Sequence, residues 1–124
     1  MKTLRASNGF SLIELLTIVA IIGILAVIAI PQFSAYRQQG FDAQATSDLR
    51  NAVTAEEAYF ATYQAYKTGS DSSPGQSSFL DGLKVSPTVS LAMTANGSLS
   101  YTGTAKSSGG SKSFSYNSST GVIQ

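Results

Sequence analysis

The sequence predicts an α+β protein: one long amino-terminal α-helix packed on a small antiparallel sheet of three or four strands. Three observations lead there. Residues Phe10 to Ile30 form an uninterrupted apolar run broken by a single charge, Glu14. Residues 31–66 turn mixed polar and apolar, with an apolar stripe at helical spacing. From residue 88 onward, short stretches alternate with period two between turn-forming pairs. The boundaries read as a leader at 1–9, an apolar helix at 10–30, its amphipathic continuation at 31–66, a loop region at 67–87 and the sheet at 88–124.

The chain has 124 residues, enough for one small domain plus an appendage. Eight Lys and Arg face seven Asp and Glu, so charge alone argues for no nucleic acid or acidic partner. There is no Cys, so no disulfide supports the fold, and no His. Without those two residue types the usual metal ligands and general bases are missing. No catalytic residue, metal or cofactor is expected.

Each element follows in order. A helix over Phe10–Ile30 rises about 1.5 Å per residue to roughly 30 Å, the thickness of a bilayer's hydrocarbon core. Lys2 and Arg5 precede it and the next basic residue is Arg37. The positive-inside rule therefore keeps the amino terminus cytoplasmic and exports the rest. A cleaved secretory signal fits less well. The apolar run is too long, and it ends in IPQFSAYRQQ rather than at a small-residue cleavage site.

Glu14 is the anomaly. An ionised carboxylate in hydrocarbon costs about 2.5–3.5 kcal/mol on the insertion scale, and a buried charge is tolerated when paired. No cation lies between Phe10 and Ile30. A cut just before Phe10 would create one, an α-amino group one helical turn from Glu14. A neighbouring chain's amino terminus would serve equally well.

The stretch Gly9-Phe10-Ser11-Leu12-Ile13-Glu14, behind a short basic leader and ahead of an apolar run closed by Pro31, resembles the class III signal of type IV prepilins. The likeness extends from about Lys2 to Tyr66. It implies the pilin fold and removal of residues 1–9 by cleavage between Gly9 and Phe10. It also implies N-methylation of Phe10 by a prepilin peptidase and methyltransferase, and a role for Glu14 in subunit docking. The implied partners are further copies in a helical filament and an inner-membrane assembly machinery. The implied location is the inner membrane as a single-pass protein before assembly and an extracellular pilus afterwards.

Small residues Ala20, Gly23, Ala26 and Ala29 recur every three positions, so helices can approach closely there. Pro31 is expected to kink or interrupt the helix by freeing a carbonyl about one turn earlier, and the resemblance to type IV pilins implies that the helix continues beyond it. Ala45, Leu49, Ala52, Glu56, Tyr59, Tyr63 and Tyr66 then form the core-facing stripe, interrupted by Glu56. The sheet is expected to cover its Tyr59–Tyr66 end. The part near Asp42 is less apolar and suits contact with sister subunits. Arg37, Asp42, Asp48 and Arg50 read as solvated surface charge, with pairing between subunits as the alternative. The frequent aromatics, Phe33, Tyr36 and Phe41 among them, read as packing.

Thr68–Ser78, TGSDSSPGQSS, reads as a loop. Val89, Leu91 and Met93 alternate, Asn96-Gly97 signals a hairpin, and Leu99 and Tyr101 continue the alternation. Ser108-Gly109-Gly110 and Thr120-Gly121 supply further turns before Phe114/Tyr116 and Val122/Ile123. Asn96-Gly97-Ser98 and Asn117-Ser118-Ser119 match a glycosylation sequon but read as turn chemistry. Asp71 and Asp81 fall short of a calcium site. Type IV pilins often close a carboxy-terminal loop with a disulfide; with no Cys here, the sheet alone is expected to hold the domain.

The resemblance makes the chain a structural pilus subunit, with the major subunit the leading expectation. A type II secretion pseudopilin is the alternative of the same architecture. A DNA-uptake pilin is the other, and it would want a basic stripe, whereas Lys84, Lys106 and Lys112 are spread out. No nucleic-acid partner is predicted.

Overall fold

The computed structural model describes residues 9–71 and 79–124; the leader's Lys2 and Arg5 and the Pro74-Gly75 pair lie outside them. The chain divides into two compact units, one ending at Ala35 and one beginning at Tyr36. One helix, α1 (Leu12–Tyr63), supplies the first unit's structure and the second unit's first element. Pro31 lies inside it and the helix continues, as expected.

In the first unit the side chains of α1 are apolar on every side and meet no protein. From Phe10 to Ile30 the large ones are 45–82 % exposed. A helix apolar all round needs an apolar surrounding, and this one is long and apolar enough to cross a membrane.

In the second unit α1 lies on a five-stranded antiparallel meander: β1 (Gly69–Asp71), β2 (Val89–Ala95), β3 (Tyr101–Ser107), β4 (Ser113–Asn117) and β5 (Val122–Ile123), in that spatial order. Val89, Leu91 and Met93 point inward from β2, and Tyr101 and Ala105 from β3. Their side chains close over Ala45, Leu49 and Ala52 of the helix, with Leu80, Leu83 and Val85 of the connecting loop completing the core. Gly103 has no room for a Cβ beside Met93 and Leu49, so the missing side chain lets helix and sheet meet closely.

Four expectations need correction. The sheet has five strands rather than three or four, because β1 forms inside the predicted loop, pairing Gly69 with Met93 and Asp71 with Leu91. A strand of Gly, Ser and Asp carries no hydrophobic alternation; its signal is backbone pairing to the free edge of β2. The helix stops at Tyr63 instead of Tyr66: Gln64 takes φ 55° and donates its N–H to the Phe60 carbonyl at 2.8 Å, a left-handed cap made without glycine.

The third concerns Leu99: the hairpin forms at Asn96-Gly97 as expected, joining β2 to β3, but Leu99 lies in its loop rather than in the strand. A two-residue type I′ turn needs positive φ at both residues, and only Gly97 has it, at 77°. The loop therefore spans Asn96–Ser100, closed by the Asn96 N–H to the Ser100 carbonyl at 2.8 Å, and Leu99 is thrown out to 86 % exposure. The fourth concerns which part of the helix is covered. Packing centres on Asp42–Glu56, while Tyr63 is exposed and Tyr59 and Tyr66 are half-buried.

Candidate functional site

Gly9 and Phe10 precede the helix and Ser11 is its last non-helical residue. The first backbone N–H groups of a helix lack partners, and here one is met: the Ser11 N–H donates to Glu14 Oε2 at 2.8 Å. Ser11-Leu12-Ile13-Glu14 is thus one half of a capping box, in which the carboxylate three residues into the helix reaches back to the cap. The negative charge also sits where the positive end of the helix dipole favours it. Glu14 therefore has a partner within its own chain, an uncharged one. The Ser-x-x-Glu pattern is the signal that could have revealed it.

Phe10, Ile13, Glu14, Thr17 and Ile18 line a shallow groove, so the only carboxylate of this region is ringed by apolar side chains. The Thr17 hydroxyl donates to the Ile13 carbonyl at 2.8 Å and is not available to Glu14. A Cβ on Gly9 would meet nothing within 4 Å, so packing among the described residues does not demand glycine there. Pro31 lies five turns further on and takes no part in this groove.

The second unit uses its carboxylates differently. Asp42 and Asp48, expected on the surface, are buried and hold turns of the domain. Asp42 Oδ1 accepts the N–H groups of Ser111 and Lys112, each at 3.0 Å, and Oδ2 accepts the Ser111 hydroxyl at 3.0 Å. The Lys112 N–H foremost, helped by the Ser111 hydroxyl and N–H, holds this carboxyl below its ordinary range against the opposing effect of burial. Asp48 accepts the Ser86 N–H at 2.8 Å. The stretch near Asp42 is thus bound to its own domain, correcting its assignment to sister subunits.

Glu56 sits at the other end of the same stripe, 0 % exposed. Oε2 accepts the Lys67 N–H at 3.2 Å and Oε1 has no partner among the described residues. Burial pushes this carboxyl up, and the Lys67 N–H only partly counters it. Next to it, Glu57 accepts the hydroxyl of the buried Tyr101 at 2.9 Å and that of Tyr66 at 3.5 Å. Burial foremost, then the bond to Glu57, raises the Tyr101 hydroxyl's pKa.

Among the described residues, no group of three or more His, Cys, Asp or Glu side chains could hold a metal ion. Asn117 Oδ1 accepts the Ser119 N–H at 2.9 Å, so this sequon forms a side-chain turn.

A membrane-length helix opening on a Gly-Phe-(x)3-Glu signal, followed in sequence by a small antiparallel sheet, defines the class: an α+β protein with an amino-terminal methylation motif. The sequence pattern described as the prokaryotic N-terminal methylation motif matches residues 4–30. Over 123 residues the chain is 34 % identical to the type IV wide pilus major component PilA4 of Thermus thermophilus, covering 98 % of this chain and 89 % of that one. It is 42 % identical over 60 residues to the type IV major pilin protein PilA of Myxococcus xanthus, covering 48 % of this chain and 27 % of the relative. It is also 44 % identical over 54 residues to a fimbrial protein of Pseudomonas aeruginosa, covering 44 % and 35 %. The chain thus spans about a quarter of the Myxococcus relative and about a third of the Pseudomonas one. The chain belongs to the type IV pilin family.

Proposed function

We propose that this pilin is the major structural subunit of a type IV pilus, cut between Gly9 and Phe10, N-methylated on Phe10 and polymerised through its apolar helix. Before assembly the helix spans the inner membrane with Lys2 and Arg5 on the cytoplasmic side. A prepilin peptidase and methyltransferase removes residues 1–9. Since packing does not require Gly9, the need for a residue without a side chain belongs to that enzyme's grip on the chain. The inner-membrane assembly machinery then draws the subunit into a helical filament whose centre is a bundle of these helices.

Glu14 is the residue on which assembly turns. Cleavage turns the Phe10 nitrogen into an amine that is cationic at neutral pH or below, and a carboxylate in an apolar groove is its natural counterpart on a neighbouring subunit. Pairing offsets a burial cost of about 2.5–3.5 kcal/mol. The observation that carries this reading is the cap: the Ser11 N–H fixes the carboxylate at the helix's amino-terminal end, where an incoming amine would meet it. Pro31 removes one backbone donor from the helix and marks where it can bend.

Two substitutions separate the charge from the cap. Glu14→Gln keeps a side-chain oxygen for the Ser11 N–H but removes the charge; Glu14→Ala removes both. Both variants should remain in the membrane at normal levels and form no filaments by electron microscopy. Filaments in Glu14→Gln cells would reduce Glu14 to a capping residue and overturn the docking role. Mass spectrometry of the mature chain should find Phe10 first and carrying one methyl group.

A further inference from the structure

At the start of the second unit an exposed Tyr36 and an exposed Arg37 stand next to each other in sequence, with the half-buried Phe41 one turn further on. Tyr36 is 67 % exposed, and the Arg37 guanidinium stands 5.9 Å from the centroid of the Phe41 ring. Arg37 makes no ion pair or hydrogen bond among the described residues, although four carboxylates of the same helix do the domain's internal work. An exposed cation with no anionic partner among the described residues, next to an exposed tyrosine, is fitted for an anionic surface that is partly apolar.

We infer that Tyr36 and Arg37 dock on the phospholipid headgroups of the membrane that holds the unassembled subunit, Arg37 against phosphate and Tyr36 at the edge of the acyl region. The inference rests on the membrane stage of the proposed function. Two features select this occupant. Charge complementarity is the first, since Arg37 is the first cation after the apolar run. Continuity with the apolar span is the second: Tyr36 follows Ile30 by six residues of sequence, about 9 Å if helical, and a helical side chain tilts toward the amino terminus, which brings its ring back toward the span. Adding the polar layers takes a bilayer from about 30 Å to about 40–45 Å, which leaves about 5–8 Å of interface on each side. Tyr and Trp concentrate at that level, with Arg reaching for the headgroups.

The chain contains no Trp, so a single introduced indole reports its own surroundings. The full chain carrying Tyr36→Trp, and a second carrying Val27→Trp, would be reconstituted at low density into phosphatidylcholine vesicles containing a minority of phosphatidylglycerol. The lipids would be brominated near either the carbonyl or the methyl end of the acyl chain. The expected result is greater loss of Tyr36→Trp emission with the shallow bromines, and of Val27→Trp emission with the deep ones. The blue shift of Tyr36→Trp should grow with phosphatidylglycerol, and Arg37→Gln should remove that dependence.

Quenching of Val27→Trp alone, with water-like emission from Tyr36→Trp, overturns the inference while leaving the membrane stage intact. Blue-shifted but unquenched Tyr36→Trp overturns it in favour of a second copy as the cover. Quenching at neither position overturns both readings. A phosphatidylglycerol dependence that survives Arg37→Gln refutes the role of Arg37.

Discussion

Replacing Tyr101 by Phe removes one oxygen from the centre of the second unit and leaves the ring in place. The ring is 0 % exposed and lies 4.5 Å from Tyr66 and 5.7 Å from Tyr116, centroid to centroid; those contacts survive. The loss is the 2.9 Å bond to Glu57 Oε1. Hydrogen bonds to charged groups are worth about 1.5–3 kcal/mol. Glu57 is an exposed residue, so water replaces the lost partner and the cost should fall to about 1–2 kcal/mol. For a unit of this size that lowers Tm by roughly 5–15 °C. The assay is a thermal melt of the full chain in mild detergent, followed by the near-ultraviolet circular dichroism of the tyrosines, which no Trp obscures. Tyr66→Phe is the internal control. Its bond to Glu57 is 3.5 Å long, at the limit of a hydrogen bond, and its loss should cost a few tenths of a kcal/mol. In a Glu57→Ala background the penalty for Tyr101→Phe should shrink by about 1 kcal/mol. An undiminished penalty there, or a Tyr101→Phe chain as stable as the parent, would refute the assignment of a stabilising Tyr101–Glu57 bond.

Other consequences can be measured in the same chain. A Cβ at Gly110 would collide with Asp42 Oδ1, so Gly110→Ala should lower Tm, and more than Gly121→Ala, whose Cβ meets nothing within 4 Å but whose φ of 70° is strained. Asp42, depressed below its ordinary 3.8, stabilises the fold above that value, and the contribution is lost as pH falls through the folded value; Asp42→Asn should flatten the acid limb of a pH–stability curve. Glu56 has the opposite sign. Its carboxyl, raised above 4.5, keeps its proton better when folded, so stability falls as pH rises from 4.5 through the folded value. Glu56→Gln should therefore be more stable than the parent at neutral pH, with the gain vanishing below 4.5; equal melts at both pH values would count against a raised Glu56.

The apolar span, the β2 alternation and the Gly9–Glu14 signal were legible because each rests on local chemistry: length, period and fixed spacing. What escaped rests on partners distant in sequence. Nothing around Asp42 says that residues 111 and 112 will supply three donors, since helix and turn meet only in the folded domain. Glu56 looked like a flaw in an apolar stripe, yet it is the one side chain there able to accept the Lys67 N–H just beyond the helix end. The Ser11–Glu14 bond is the exception. It is local, and the Ser-x-x-Glu spacing alone places a backbone donor three residues from the carboxylate.

The expectation that the sheet alone holds a cysteine-free domain fails for a physical reason that these carboxylates supply. A meander with edge strands of three and two residues has little pairing with which to fix its own turns. In the second unit the helix does this work. Its inward stripe runs Asp42, Ala45, Leu49, Ala52, Glu56 in steps of three and four, with apolar residues in the middle against the sheet and a carboxylate at each end. Asp42 holds the β3–β4 turn, Glu56 the Lys67 N–H before β1, and Asp48 beside the stripe holds Ser86 before β2. The Asp42 and Asp48 bonds join segments far apart in sequence, as a disulfide would, and the Glu56 bond ties the chain just beyond the helix end, but each is a hydrogen bond whose strength depends on protonation. Such a domain should respond to pH where a disulfide would not, its Ser111 end loosening in acid only once the pH falls through the lowered folded value of Asp42. The carboxylates of the second unit's stripe are thus committed within the chain, whereas Glu14 is bonded to one backbone N–H in an apolar groove, the arrangement that the docking role proposed for it requires.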